Sequence, residues 1–243
     1  MTGFPFTFTT VLRKRATEMT ATTNLLTDYQ TYIFDLDGTL LDSLEDLWLS
    51  CNYALRCHGY PGHTIDEVRL FVGNGVAKLI ERALPDGTGN PSFEDVLSTF
   101  RQHYSAHSLD HTKPYPGIVA MLKELRRRGK RLAVVSNKFH AATQKLVAHY
   151  FGDVIDVAVG EDASRGLHGK PSPHIVEEAL HRLMVSKAGA VYVGDSEVDI
   201  ATARNSGLPC ISVLWGFRGQ SFLEEHGATT FVSSPGQMII NHR

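Results

Sequence analysis

Thr31-Tyr32-Ile33-Phe34-Asp35-Leu36-Asp37-Gly38-Thr39-Leu40-Leu41-Asp42-Ser43 decides how this 243-residue chain is read. The first four residues are all good strand formers, and the run ends abruptly on a carboxylate. A second carboxylate follows two positions later, and Asp37-Gly38 favours a turn. The stretch therefore reads as a strand that delivers Asp35 and Asp37 to its carboxyl end.

Working outward, residues 43 to about 113 contain no convincing strand. Ser43 with Asp46 suggests a helix N-cap, and Leu44, Leu47, Trp48 and Leu55 recur near helical spacing. Thr64-Ile65-Asp66-Glu67 is a capping box. Val76, Leu79, Ile80 and Ala83 predict another helix, and Ser92-Phe93-Glu94-Asp95 opens one carrying Val96, Leu97, Phe100 and Tyr104. From Pro116 helices alternate with strands. Helices are predicted over 118–128, 141–150, 173–184 and 198–206, and strands over 131–136, 154–159, 189–194 and 209–214. Such alternation implies an α/β, Rossmann-like parallel sheet with helices on both faces. The all-helical stretch is inserted just after the first strand. The expected organisation is a disordered leader over 1–29, with Met19 as candidate natural start, a discontinuous α/β core over 30–42 and 115–243, and a helical cap over 43–114.

The totals fit this reading. Hydrophobic residues make up 42% and charged residues 21%, the profile of an ordinary globular protein. A net charge of −2 offers no general attraction for nucleic acid or an anionic membrane. No apolar run approaches the ~18 residues needed to span a bilayer. Cys51, Cys57 and Cys210 follow no metal-ligand spacing, which suits a reducing, cytoplasmic setting. The basic run Arg13-Lys14-Arg15 has no apolar stretch after it, so a secretory signal is rejected. Oligomeric state is not legible.

In an open α/β sheet, ligands bind beyond the carboxyl ends of the strands. There the sequence places Asp35 and Asp37, then Ser136 and Asn137, then Asp195 and Ser196, with Lys170 preceding a helix. Clustered carboxylates repel one another unless a cation compensates. Mg²⁺, held by one or two carboxylates plus a substrate phosphate, suits such a cluster. The turns Gly38-Thr39 and Gly194-Asp195-Ser196 can aim backbone N–H groups at anionic oxygens.

The run Asp35–Ser43 resembles the first motif of the haloacid dehalogenase-like hydrolases. Ser136-Asn137-Lys138 resembles the second, Lys170-Pro171-Ser172-Pro173 the third, and Gly194-Asp195-Ser196-Glu197-Val198-Asp199 the fourth. Phe71-Val72-Gly73-Asn74-Gly75 and Tyr115-Pro116-Gly117 resemble the phosphoglycolate phosphatase-like branch. The resemblance implies that Asp35 is a nucleophile touching Mg²⁺, and that Asp37 is the general acid and base whose backbone carbonyl also ligates the metal. It implies Asp195 as the remaining metal ligand, Ser136 and the Asn137 amide as donors to the phosphoryl group, and Lys170 as a counter-charge. Asp199 and Ser196 are expected behind this layer, orienting Lys170 or the metal surroundings. Thr39, Asn74 and Lys78 are expected on the substrate, a small phosphorylated metabolite. Dehalogenases lack the second Asp, phosphonatases carry Ala there, and β-phosphoglucomutases carry an Arg absent from Gly73-Asn74-Gly75-Val76. Pyrophosphate, nucleotides and sugar phosphates remain alternative substrates, and a non-catalytic binding protein is the alternative of another class.

Several features admit blander readings. Asp199 can equally be a first-turn helix acid. Lys78 and Arg82 share a helix face that can be solvated or substrate-facing. His103, His107 and His111, at i, i+4 and i+8, can either hold a transition metal or form a solvated stripe. Arg126, Arg127, Arg128, Lys130 and Arg131 sit near a helix C-terminus and read as surface rather than as a nucleic-acid site.

Overall fold

A computed structural model describes residues 28–239. Among them, six parallel strands form one sheet: β1 (Thr31–Phe34), β4 (Arg131–Phe139), β5 (Val157–Glu161), β6 (Ala190–Gly194), β7 (Cys210–Val213) and β8 (Phe231–Val232). Their spatial order is β5-β4-β1-β6-β7-β8. β1 pairs with β4 on one side, Phe34 opposite Val134, and with β6 on the other, Phe34 opposite Val193. The chain thus builds outward from β1 first one way and then the other, and that reversal opens a crevice at the carboxyl end of β1.

Alternation of side chains across the strands creates two apolar layers. Tyr32, Phe34, Leu132, Val134, Val191 and Val193 face one way, onto helices α5 (Ile118–Arg127) and α6 (His140–Phe151). Ile33, Ala133, Val135, Ala190 and Tyr192 face the other, onto α7 (His174–Leu183) and α8 (Glu197–Ser206). With both faces covered, the polar residues of the central strands are left at their ends.

The inserted stretch folds as α1 (Leu44–Cys57), α2 (Ile65–Phe71), α3 (Val76–Ala83) and α4 (Phe93–His107). These helices close over a separate apolar cluster that includes Leu47, Leu55, Ile80, Val96 and Phe100. The Thr64 capping box forms as the sequence predicts. Three local expectations change. Ser43 sits at the N-cap of α1, but its hydroxyl bonds Asp37 instead of the helix. The region is not wholly strandless: β2 (Leu41–Asp42) pairs antiparallel with β3 (Lys113–Pro114), so the two crossings into and out of the helices are zipped together. Asp46 turns inward, is 1% exposed, and accepts bonds from His111 N at 3.0 Å, Thr112 N at 2.9 Å and Thr112 Oγ1 at 2.7 Å.

Most of the expected leader lies outside the described residues. Its last residue, Tyr29, packs on the core edge-to-face with Tyr32. The basic cluster is locally neutralised. Arg127 and Arg128 pair with Glu124, Arg126 and Arg131 with Asp156, and buried Lys130 with Asp28. Helix α9 (Gln220–Glu225) and β8 complete the sheet edge, and neither carries a strong sequence signal. No helix among the described residues is long and apolar enough to cross a membrane.

Asp46→Ala would strand the donors that close the second crossing. It is expected to destabilise the protein by about 3 kcal/mol, read from the urea midpoint at unchanged m-value. A loss below about 1 kcal/mol would show that the zipped crossings do not depend on Asp46.

Candidate active site

Asp35 follows directly on β1 and is 6% exposed. Its Oδ1 lies 2.7 Å from Lys170 Nζ, which also bonds Asp199 Oδ1 at 2.8 Å. Asp195, 1% exposed, follows β6 alongside. Asp35, Asp195 and Asp199 offer oxygens all within 4.8 Å of one another. The structure thus brings Asp35, Lys170, Asp195 and Asp199 together from segments far apart in sequence.

The three carboxylates differ in what already holds them. Asp199 is saturated. Its Oδ1 accepts from Lys170 and from the Tyr192 hydroxyl at 3.0 Å, and its Oδ2 accepts from Asp195 N, Ser196 N and Ser196 Oγ. It caps α8 in a box with Ser196 and at the same time accepts from the Lys170 ammonium. Asp195 accepts one bond per oxygen, from Thr39 Oγ1 at 2.9 Å and from Phe217 N at 2.8 Å. Each of these oxygens retains a lone-pair direction. Asp35 and Asp195 are thus the pair suited to a hard divalent cation.

The electrostatics agree. Burial, then the Asp199 charge, pushes Asp35 well above the usual carboxylate range, with Lys170 opposing. Burial and Asp199 likewise push Asp195 up to about 7. Burial works against the charge on Lys170, but Asp199 and Asp35 outweigh it, so the ammonium is held. One lysine faces three acids, and the surplus negative charge is what a cation would relieve.

Backbone shape guards this cluster. Gly38 has φ +85°, and a Cβ there would collide with the Asp195 carboxylate. Gly216 is equally tight, because a Cβ would run into Asp195 and the Gly38 carbonyl. Both glycines let backbone approach a metal-competent carboxylate closely.

β4 runs further than the sequence suggests. Its register with β5 shifts between Ser136 and Phe139, and Ser136, Asn137 and Lys138 are all buried. Such irregularities re-aim side chains beside active sites. Ser136 lines a cavity with Asp35, Asp37, Lys138 and Lys170. The Asn137 side chain is a staple: Nδ2 donates to Gly73 O and Lys170 O, each at 3.2 Å, and Oδ1 accepts from Lys170 N. Lys138 was given no role by the sequence reading. Its Nζ sits 3.1 Å from Asp37 Oδ1, bonds the Tyr104 hydroxyl, and lies 4.4 Å over the Tyr104 ring. Burial opposes its charge but Asp37 and Tyr104 prevail. The signal was available: a lysine directly after the buried strand residues Ser136 and Asn137.

Other candidates move away. Thr39 is fully buried on Asp195 rather than on the cavity. Asn74 binds Arg82 at 2.8 Å and lines a neighbouring cleft, and Lys78 pairs with Glu81. His103 and His107 stay stacked, ring centroids 4.3 Å apart, but α4 ends at His107 and His111 leaves the stripe. His103 bonds Ser50, His107 pairs with Asp110, and His111 with Glu45. The only metal-competent grouping found among the described residues is the acidic one.

A match to the haloacid dehalogenase-like hydrolases spans residues 32–213. The chain belongs to that family. A phosphoglycolate phosphatase of Aquifex aeolicus (strain VF5) is 35% identical over 190 residues, covering 76% of this chain and 84% of the relative. One from Cereibacter sphaeroides (strain ATCC 17025 / ATH 2.4.3) is 37% identical over 194 residues, covering 76% and 85%. A crystal structure from Lactobacillus delbrueckii subsp. bulgaricus, provisionally named phosphoglycolate phosphatase, superposes with a TM-score of 0.84 at 36% identity, covering 89% of this chain and 100% of that one. The matched span contains all four of the motif-like stretches.

The raised Asp195 predicts a pH dependence with a definite sign. Burial and the Asp199 charge push the folded carboxyl up to about 7, against about 3.8 in the unfolded chain. Between those values the folded state keeps a proton the unfolded state has released, so stability falls as pH rises from about 4 to about 7. With a chelator present, thermal midpoints are expected to drop across that window, and Asp195→Asn should lessen the drop while the raised Asp35 keeps part of it. A hard divalent cation should raise the midpoint more at about pH 8 than at about pH 5. Equal shifts at both would rule out proton–cation competition.

Proposed function

We propose that this chain is a Mg²⁺-dependent phosphatase that hydrolyses a compact phosphomonoester, foremost 2-phosphoglycolate, through a phospho-aspartyl enzyme. The observation that carries the reading is Asp35, buried between Lys170 and Asp195 on a cavity that Asp37 also lines. Asp35 and Asp195 carboxylates and the Asp37 carbonyl are the groups assigned to the ion. When bound, Mg²⁺ supplies positive charge for the phosphoryl oxygens and for the acidic cluster.

In the first displacement an Asp35 oxygen attacks phosphorus, and the bond to the leaving alcohol breaks. The alcohol takes a proton from the Asp37 carboxyl. In the second, Asp37 takes a proton from water as the oxygen attacks phosphorus, which releases inorganic phosphate and restores Asp35. Ser136 and Lys170 meet the charge on the phosphoryl oxygens. Asn137 acts through its side chain by fixing the Lys170 backbone and the Gly73 loop.

Residues 43–114 serve as a cap in this reading. The cavity offers about 40 Å³ of space for water, a few times the ~10–15 Å³ that one water needs. Leu47, Val72, Gly73, Gly75, Val76 and Leu79 form its helical wall, which brings bulk but no charge. The names of the relatives support 2-phosphoglycolate among compact substrates. The free cysteines Cys51, Cys57 and Cys210 suit a reducing cytoplasm.

Asp35→Asn is expected to abolish Mg²⁺-dependent turnover of p-nitrophenyl phosphate, and turnover equal to wild type would sink the mechanism. In a panel of phosphorylated metabolites ranked by kcat/KM, 2-phosphoglycolate should lead nucleotides, hexose phosphates and pyrophosphate; a nucleotide or hexose phosphate at the top would overturn the substrate assignment.

Lys138→Met removes the charge that holds the Asp37 carboxylate. A drop of about a hundredfold in kcat/KM is expected, the scale of a misplaced catalytic group. Tyr104→Phe keeps the ammonium in place and should retain most of the activity. Wild-type kinetics for Lys138→Met would remove Lys138 from the site.

A further inference from the structure

Residues 215–218, in the loop after β7, touch Thr39, Asp195, the start of α8 and the end of α2. Trp215 Nε1 donates to Thr39 O at 2.9 Å, and Thr39 in turn holds Asp195. Phe217 N donates to Asp195 Oδ2 at 2.8 Å. Arg218, 8% exposed, then leaves the sheet and enters the helical insertion. Its Nη1 donates to Arg69 O at 2.8 Å, and its Nη2 donates to Val72 O at 2.8 Å and Leu70 O at 3.4 Å. Its Nε faces Glu197 Oε2 at 3.4 Å, on the first residue of α8.

We propose that Arg218 is a positioning residue that couples the substrate-facing wall of the cavity to the orientation of Asp195. The inference rests on the phosphatase reading of that cavity. The carbonyls it holds belong to the end of α2 and the turn after it, where a helix leaves its last carbonyls without partners. A buried guanidinium meets them with charge and in the favourable dipole sense. The same turn contributes Val72 and Gly73 to the cavity wall. One residue earlier, Phe217 fixes an oxygen of Asp195. Wall and carboxylate are therefore tied to adjacent positions of one short strap, and a strap released at Arg218 loosens both. Glu197 balances the guanidinium in a site with little water.

Lysine would replace this arginine only in part. An ammonium is a point donor, whereas a guanidinium presents a planar fork that reaches separate carbonyls at once. When the wall is seated only part of the time, apparent substrate affinity falls by the seated fraction, while turnover of the bound complex is little changed.

Wild type, Arg218→Ala, Arg218→Lys and Glu197→Gln are to be compared on p-nitrophenyl phosphate and on 2-phosphoglycolate, with Mg²⁺ varied. Arg218→Ala is expected to raise KM about tenfold or more, with kcat within about threefold of wild type, and to raise the half-saturating Mg²⁺ concentration about fivefold. Arg218→Lys and Glu197→Gln should fall between it and wild type on both measures. Amide hydrogen exchange over residues 65–73 should quicken in the same order. A lower thermal midpoint with unchanged KM and unchanged Mg²⁺ half-saturation would overturn the coupling and leave a purely structural arginine. A KM rise without any change in Mg²⁺ dependence would overturn the link to Asp195. Should Arg218→Ala fail to fold, Arg218→Lys and Glu197→Gln decide the same question. Absence of turnover in the wild type would instead count against the phosphatase reading, while the exchange measurement would still report on the strap.

Discussion

Asp35, Asp195 and Asp199 place three carboxylates within a few ångströms of one another, in protein rather than in water, with Lys170 as the shared counter-charge. Two like charges about 4 Å apart repel by about 4 kcal/mol at an effective dielectric of about 20. The fold meets that repulsion unevenly. Asp199 receives donors at both oxygens and becomes a hub that holds Lys170, Tyr192 and the start of α8. Asp35 and Asp195 keep unused acceptor capacity and raised pKa values. A division of this kind separates the acid that builds the site from the two whose oxygens keep free lone pairs.

The sheet makes such crowding possible. β1 lies at its centre, bonded on both sides and buried on both faces, so its carboxyl end is where polar residues can emerge. Parallel pairing brings the ends of β4 and β6 to the same edge. The register shift in β4 then keeps three successive polar residues buried there. Ser136 faces the cavity, Asn137 staples two loops, and Lys138 reaches Asp37. A regular strand would have pointed alternate side chains to opposite faces.

The alternation of strands and helices and the four motifs were legible because they are local. Periodicity, a glycine stop or an Asp-Gly turn needs only neighbouring residues. What stayed hidden is set by partners distant in sequence. Ser43 looks like an N-cap until Asp37 competes for its hydroxyl, and Thr39 looks like a phosphate contact until Asp195 is placed beside it. Lys78 and the histidine stripe carried plausible spacing, but spacing on a helix does not say what lies opposite, and here it is Glu81, Ser50, Asp110 and Glu45. The two-residue strands β2, β3 and β8 are too short for any period to show.

The helical insertion is fastened by polar contacts and faces the cavity with apolar ones. At its root Leu41–Asp42 pairs with Lys113–Pro114, and Asp46 grips residues 111 and 112. Nearer the site, Lys138 meets Tyr104, Asn137 meets Gly73, and Arg218 holds the end of α2. Hydrogen bonds and ion pairs are directional, so they set where the insertion sits. The wall they position, built from Leu47, Val72, Val76, Leu79 and glycines, lines the cavity with apolar surface and carries no charge. Under the proposed function, discrimination on that side would follow from bulk: a longer leaving group would have to displace a wall that several polar anchors hold in place. Charge and apolar bulk thus come from different parts of the chain, the first from the strand ends and the second from the insertion pinned to them.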